Sequence, residues 1–498
     1  MLQRRSCTDA EVGSDRDTST SRRIGSIVMA EPSQSIERMS DVEALMWNLE
    51  KDPHLSAAFA NLTIFDRPLD VQRLRQRLER AARVVPRLRQ RVVPAFGRLA
   101  PPAWQDDPDF DMDYHLRRVA VPGKGTERDL LELAATLAND PFDRTRPLWE
   151  FYVIEGLADG RAAMVQKMHH TITDGEGGIR MSMEFIDIER DAPAPPLIDE
   201  AETDSGPYAA PLHQRALVDA AFDTLTHNLR RQAGLARRMV GESLTVVRHP
   251  SQLIALPGEA VATMQSVLRQ LAVTDGRRSP AWLERSLRRR FEILQVPLDD
   301  AKRAAKVLGG SVNDFFVTGA VGGAGAYHRE LGLPVDQLRI SMPVSTRTDR
   351  SSGGNAFSVT RSLVPTDPDP VARFASISER LTTTKRERAV GVTAALAGVV
   401  NVLPTSVLIR IARQQVDTID FATSNLKAAP FDLYIAGAKL EANYPIGPIG
   451  GTAFNLTTMS YRGMLDMGLH IDSAAIAEPD RLRRCLEQSF EELIAAAT

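Results

Sequence analysis

The chain has 498 residues, with 43% hydrophobic and 25% charged residues, a formal net charge of −3, nine histidines and two cysteines. That length is more than one hydrophobic core serves and implies two domains of ordinary globular composition. The near-balanced charge excludes a general attraction to nucleic acid or anionic membrane. Cys7 and Cys485, near opposite ends, exclude a disulfide framework and fit a reducing cytoplasm.

Residues 1–36 are polar and aperiodic. They are expected to be a disordered extension, or to precede a start at Met29; the apolar patch Ile27–Ala30 is too short for a signal-peptide core. A first subdomain is expected over 37–191. Ser40-Asp41-Val42-Glu43 has the spacing of a capping box. Phe59–Phe65 alternates like a strand. From Asp70 a helix is expected, with Val71, Leu74, Leu78, Ala81 and Ala82 on one face and arginines on the other. An acidic loop, Gln105–Asp113, precedes His115, which reads as structural. Glu127–Asn139 forms an amphipathic helix. Pro147-Leu148-Trp149-Glu150 leads into a strand, Phe151–Ile154, rich in aromatic and β-branched residues.

The next apolar run, Ala162–Met168, reads as a buried strand and ends in His169-His170-Thr171-Ile172-Thr173-Asp174-Gly175. By composition, His-His-x-x-x-Asp-Gly should arise by chance in roughly one such chain in a thousand. A neutral imidazole can take a proton from a hydroxyl near neutral pH. That role is assigned to His170, while His169 braces the loop. Asp174 either orients the imidazole or braces the turn, and Gly175 allows close backbone packing or positive φ. Three other readings stand beside this one. The histidines form a satisfied structural cluster; His170 and Asp174 ligate a metal; or His170 serves a nucleophile. Neither a His-Glu-x-x-His nor a Gly-x-Ser-x-Gly pattern supports the last two.

Residues 192–275 are expected to be a linker and connecting helices. Asp191–Pro196 and Asp199–Gly206 are acidic and rich in Pro, Gly and Ser, and helical periodicity runs over Leu212–Val247 and Pro257–Leu271. Arg230, Arg231, Arg237 and Arg238 read as a solvated face or as a surface for anionic lipid. A second subdomain is expected over 276–498. Its elements are a strand at Arg290–Leu298, a helix from Asp299 and a helix opening at Val312-Asn313-Asp314. The glycines of that helix, Gly319, Gly322, Gly323 and Gly325, signal tight packing. A strand at Leu338–Val344 then runs into Ser345-Thr346-Arg347. Ala389–Ile409 has bilayer length but carries Asn401, Pro404 and Thr405, which favours a buried helix and turn. Strands at Asp432–Ile435, Gly451–Ser460 and Leu465–Ile471 and a helix from Pro479 complete the chain.

His169-His170-x-x-x-Asp174-Gly175 resembles the signature of CoA-dependent acyltransferases, which include chloramphenicol acetyltransferase and nonribosomal peptide condensation domains. Pro147–Glu150, Val312-Asn313-Asp314, Met342–Arg347 with Gly354-Asn355, and Leu433–Ala438 are similar to one branch, the bacterial wax ester synthase/diacylglycerol acyltransferase family. The resemblance implies an α/β fold of two chloramphenicol-acetyltransferase-like subdomains with an active-site tunnel at their interface. It implies acyl-CoA as substrate, no cofactor and no metal, and diacylglycerol or a fatty alcohol as acceptor. It places Pro147, Leu148 and Trp149 on a channel wall, against a plain core role, and pairs Arg347 with Asp174, against a surface role. Asn355 would hold a turn, and Asn313 is a candidate oxyanion donor. A cytoplasmic protein is expected, or one peripheral on the inner membrane or lipid droplets, with no nucleic-acid partner. After Ser424-Asn425 the chain departs from the family's Pro-Gly-Pro turn. Two other classes remain: a related CoA- or carrier-dependent acyltransferase with another alcohol or an amine as acceptor, and a non-catalytic lipid-binding relative.

Overall fold

Two six-stranded sheets carry the fold. The computed structural model describes residues 37–95, 100–173, 175–193, 276–345, 357–387 and 404–498. In the first half α1 (Asp41–Leu49) starts at a capping box, Ser40 Oγ accepting from Glu43 N–H and Glu43 Oε2 from Ser40 N–H. Then come β1 (Ala58–Phe65), α2 (Val71–Val84), the small β2 (Gln90–Val93) and β3 (Ala103–Asp106) pair, α3 (Met112–His115), β4 (Leu116–Ala120), α4 (Glu127–Asn139), β5 (Trp149–Glu155), β6 (Ala162–His169) and α5 (Gly175–Ser182). Leu74, Leu78, Ala81 and Ala82 of α2 are buried, as their spacing requires.

The second half holds β7 (Arg289–Pro297), α6 (Leu298–Val307), α7 (Val312–Glu330), β8 (Gln337–Ser345), β9 (Phe357–Pro365), α8 (Pro370–Glu387), α9 (Thr405–Val416), β10 (Phe421–Lys427), β11 (Tyr434–Ile435), β12 (Ala438–Ile446), β13 (Phe454–Tyr461), β14 (Met464–Asp472) and α10 (Pro479–Ala495). The strand expected from Gly451 begins at Phe454, because Gly450 and Gly451 both take positive φ and turn the chain first. The periodic segments 212–247 and 257–271 lie outside the described residues, as does much of 389–409. Among the described residues no helix is long and apolar enough to cross a membrane.

The first sheet runs β11-β12-β1-β6-β5-β4 and the second β7-β14-β13-β10-β8-β9. Strands β11 and β12 come from the stretch that the sequence boundary assigns to the second subdomain, yet they complete the first sheet. β12 pairs antiparallel with β1, from Ala60↔Ile446 to Phe65↔Leu440. Alternate residues Ala438, Leu440, Ala442 and Tyr444 supply buried apolar surface. Gly468 of β14 passes so close to β12 that an added Cβ would collide with the Pro445 carbonyl. The glycines of α7 serve packing too. Gly319 lies under the Phe490 ring and Gly323 under the Leu486 backbone, so α7 and α10 approach where side chains would not fit.

A polar seam joins the two sheets. Gln166 Nε2 donates to Thr63 Oγ1 (3.2 Å) and Thr63 Oγ1 to Asn443 Oδ1 (2.9 Å). The Asn443 N–H and Gln295 Nε2 each donate to Asp466 at 2.8 Å. Burial pushes the Asp466 carboxyl up from 3.8 to about 6, against the lowering pull of these donors. Between those values the folded chain holds a proton that the unfolded chain releases. The resulting stability, up to about 3 kcal/mol, is complete below pH 3.8 and is lost as pH rises through about 6. Asp466→Asn is expected to flatten this component of the unfolding free energy, measured by urea titration at steps from pH 4 to 7.

Candidate active site

Strand β6 lies between β1 and β5, and the histidine pair stands at its C-terminal end. The His169 N–H donates to the Leu148 carbonyl (3.0 Å) and the His170 N–H to the Ala57 carbonyl (3.1 Å), so both neighbouring chains grip the strand end. Successive residues of a strand point to opposite faces. His169 is fully buried, whereas His170 is half-buried, its ring centroid 4.6 Å from that of Phe59. Gly178 of α5 also packs against Phe59: an added Cβ would sit 3.8 Å from Phe59 Cζ.

The environment of His169 fixes its tautomer. Nδ1 accepts from the Thr171 N–H (3.1 Å) and lies 2.7 Å from Thr171 Oγ1, so the ring proton belongs on Nε2. Nε2 meets Glu50 Oε2 at 2.5 Å, a short contact bent off the N–H axis. Glu50 Oε1 accepts from Ser56 Oγ (2.7 Å). Burial raises the Glu50 carboxyl, but His169, the Ser56 hydroxyl and the Arg144 guanidinium outweigh it and hold the group below its ordinary range. Arg144 is itself fixed, 3.5 Å over the Trp47 ring and donating to the Trp47 carbonyl (2.7 Å).

The remaining sequence candidates fall in several places. Pro147, Leu148 and Trp149 are buried. Trp149 Nε1 donates to the Leu88 carbonyl (2.8 Å) and the indole stacks on His115 at 4.5 Å, which are the contacts of a core residue. Burial pushes His115 down to about 4, and its Nδ1–H donates to the Trp149 carbonyl (2.7 Å), so it is neutral and structural. Asn313, in the first turn of α7, accepts from Asn425 Nδ2 at 3.4 Å, which places two carboxamides together. Gly175 opens α5. Asp174, Arg347 and Asn355, and with them the expected Asp174–Arg347 pair, lie outside the described residues. Ser279 Oγ is 2.8 Å from His328 Nε2, but both are buried and the hydroxyl also accepts from the Trp282 N–H, so it caps a turn. Among the described residues no three His, Cys, Asp or Glu side chains come together as a metal site.

The wax ester synthase/diacylglycerol acyltransferase catalytic domain matches residues 39–316, and the C-terminal domain of the same family matches 353–494. A Mycobacterium tuberculosis protein named as a diacylglycerol O-acyltransferase is 34% identical over 484 residues, covering 94% of each chain. The chain belongs to the wax ester synthase/diacylglycerol acyltransferase family. It is an acyltransferase. The wax ester synthase/diacylglycerol acyltransferase from Marinobacter aquaeolei superposes with a TM-score of 0.62 at 22% identity, over 92% of this chain and 99% of that one. The first condensation domain of the calcium-dependent antibiotic synthetase gives 0.54 at 15% identity, over 94% and 97%. These two likenesses show the α/β fold with its two sheet-bearing halves.

Sequence reasoning about this acyltransferase missed Glu50, Ser56, Phe59, Arg144 and Thr171. One signal was available for Glu50. It stands at the C-terminal end of α1, where the helix dipole disfavours an anion, so a carboxylate there calls for a partner.

Proposed function

We propose that this acyltransferase moves a long-chain acyl group from acyl-CoA to diacylglycerol, a fatty alcohol, or both, with His170 as general base. The observation that carries the reading is the contrast within the pair, one imidazole locked in the core and its neighbour left half-buried at the strand end. His170 takes the acceptor's hydroxyl proton as the oxygen attacks the thioester carbonyl carbon. The tetrahedral intermediate then collapses, the C–S bond breaks, and the CoA thiolate takes the proton back from the imidazolium. The products are an ester and free CoA, with no covalent enzyme intermediate. Donors must face the developing oxyanion, and the Asn313–Asn425 carboxamides are the candidates. In the same reading Asp174 and Arg347 hold the turn after the motif, the substrates meet in a tunnel between the halves, and the enzyme works at a membrane or lipid-droplet surface.

The test is thiol release from palmitoyl-CoA with dioleoylglycerol, with hexadecanol, and with no acceptor. Release that depends on dioleoylglycerol or hexadecanol is expected, with triacylglycerol or wax ester as product. Equal release without acceptor, or release only with an amine, would overturn the reading.

A further inference from the structure

We propose that Glu50 is a positioning residue for this reaction: by holding the buried His169 from the end of α1, its carboxylate fixes the strand end that presents His170. The inference rests on His170 being the base. Beyond the His170 N–H bond to Ala57 the chain leaves the sheet, and one turn bond, from the Ile172 N–H to the His169 carbonyl (3.0 Å), follows. The side-chain anchor is His169, which ties Thr171 through Nδ1. That tie commits the ring proton to Nε2, in the core, where an N–H without an acceptor is costly. Glu50 Oε2 is the acceptor beside it, 2.5 Å away though off the N–H axis.

Glu50 is in turn held by Ser56 and faced by Arg144, whose guanidinium rests on Trp47 of the same helix. The arrangement therefore runs from α1 through Glu50 and His169 to the backbone of residues 169–171. Without the carboxylate the ring is free to turn, Thr171 loses its acceptor, and the His170 backbone shifts. A displacement of about 1 Å at a catalytic group costs on the order of 100-fold in rate. Glutamine at position 50 keeps an oxygen for the Nε2–H and should largely preserve the arrangement.

The experiment compares wild type, Glu50→Ala, Glu50→Gln, His169→Ala and the Glu50→Ala/His169→Ala double variant, using palmitoyl-CoA and dioleoylglycerol. Glu50→Ala is expected to lower kcat by about 10–100-fold with KM for both substrates within about threefold. Glu50→Gln should recover kcat to within about threefold of wild type. In the His169→Ala background, Glu50→Ala should cost less than about twofold more, because the two act as one unit. Wild-type kcat in Glu50→Ala, failure of Glu50→Gln to recover, or a full additive loss in the double variant would each overturn the proposal. Should Glu50→Ala not fold, imidazole nitrogen NMR of wild type and Glu50→Gln decides it. The Nε2–H tautomer of His169 is expected, and the Nδ1–H tautomer overturns it. A fully active His170→Ala would instead refute the general-base reading and leave the NMR result standing.

Discussion

His170→Ala is expected to lower turnover by about 10²–10⁴-fold, the usual worth of a general base, while the thermal midpoint stays within about 2 °C of wild type. The two halves of this expectation come from different observations. The ring is half-buried and packs against Phe59, so its removal opens less core than the loss of a fully buried side chain. The backbone stays in place through the His170 N–H bond to Ala57 together with the His169 side chain held by Glu50, all of which the variant retains. His169→Ala is the control with the opposite signature: it strips a fully buried ring from Glu50 and Thr171, so stability falls along with rate. Steady-state kinetics and thermal unfolding of the two purified variants separate these cases. A His170→Ala enzyme with wild-type turnover would remove the base from the mechanism.

Lys167→Ala is expected to destabilise the fold by about 3–5 kcal/mol, the cost of leaving half of a buried ion pair behind. Lys167 Nζ lies 3.0 Å from Glu150 Oε2, and neither residue is more than 5% exposed. The same oxygen accepts from the Tyr152 hydroxyl (2.7 Å), and Nζ sits 4.3 Å over the Phe142 ring. Burial lowers the Lys167 pKa, and Glu150 pulls the other way. Removing the ammonium leaves the buried carboxylate with two neutral donors, the Tyr152 and Tyr114 hydroxyls (the latter at 3.4 Å), and a more distant Arg117 at 3.7 Å. The double variant Lys167→Met/Glu150→Leu should recover most of the loss, since it removes both charges and keeps the volume. By contrast, the exposed Arg303–Asp300 pair should be worth less than about 1 kcal/mol. Urea denaturation of Lys167→Ala, the double variant and Arg303→Ala checks the ranking, and a Lys167→Ala midpoint equal to wild type would sink it.

The Asp466 and Lys167 sites also show what hydropathy reading overlooks. Both residues lie on strands whose pattern is largely apolar, and each is held by partners from elsewhere: Asn443 and Gln295 for one, Glu150 and Phe142 for the other. A charged residue inside an apolar run signals a buried partner, but nothing local says which.

What the sequence determined by itself is local and periodic. The Ser40–Glu43 capping box, the stripe of α2, the bounds of α4, the buried strand before His169 and the start of α10 at Pro479 all follow from spacing that a helix or strand imposes on its own residues. The His-His-x-x-x-Asp-Gly motif belongs with them, because it is local in the chain and directly ends that strand. Only the tertiary structure decided that β12 completes the first sheet, that Gly319 and Gly323 meet α10, and that His169 meets Glu50. Periodicity records which face of an element is buried and is silent about what covers it. That choice is made by shape and charge between segments far apart in the chain.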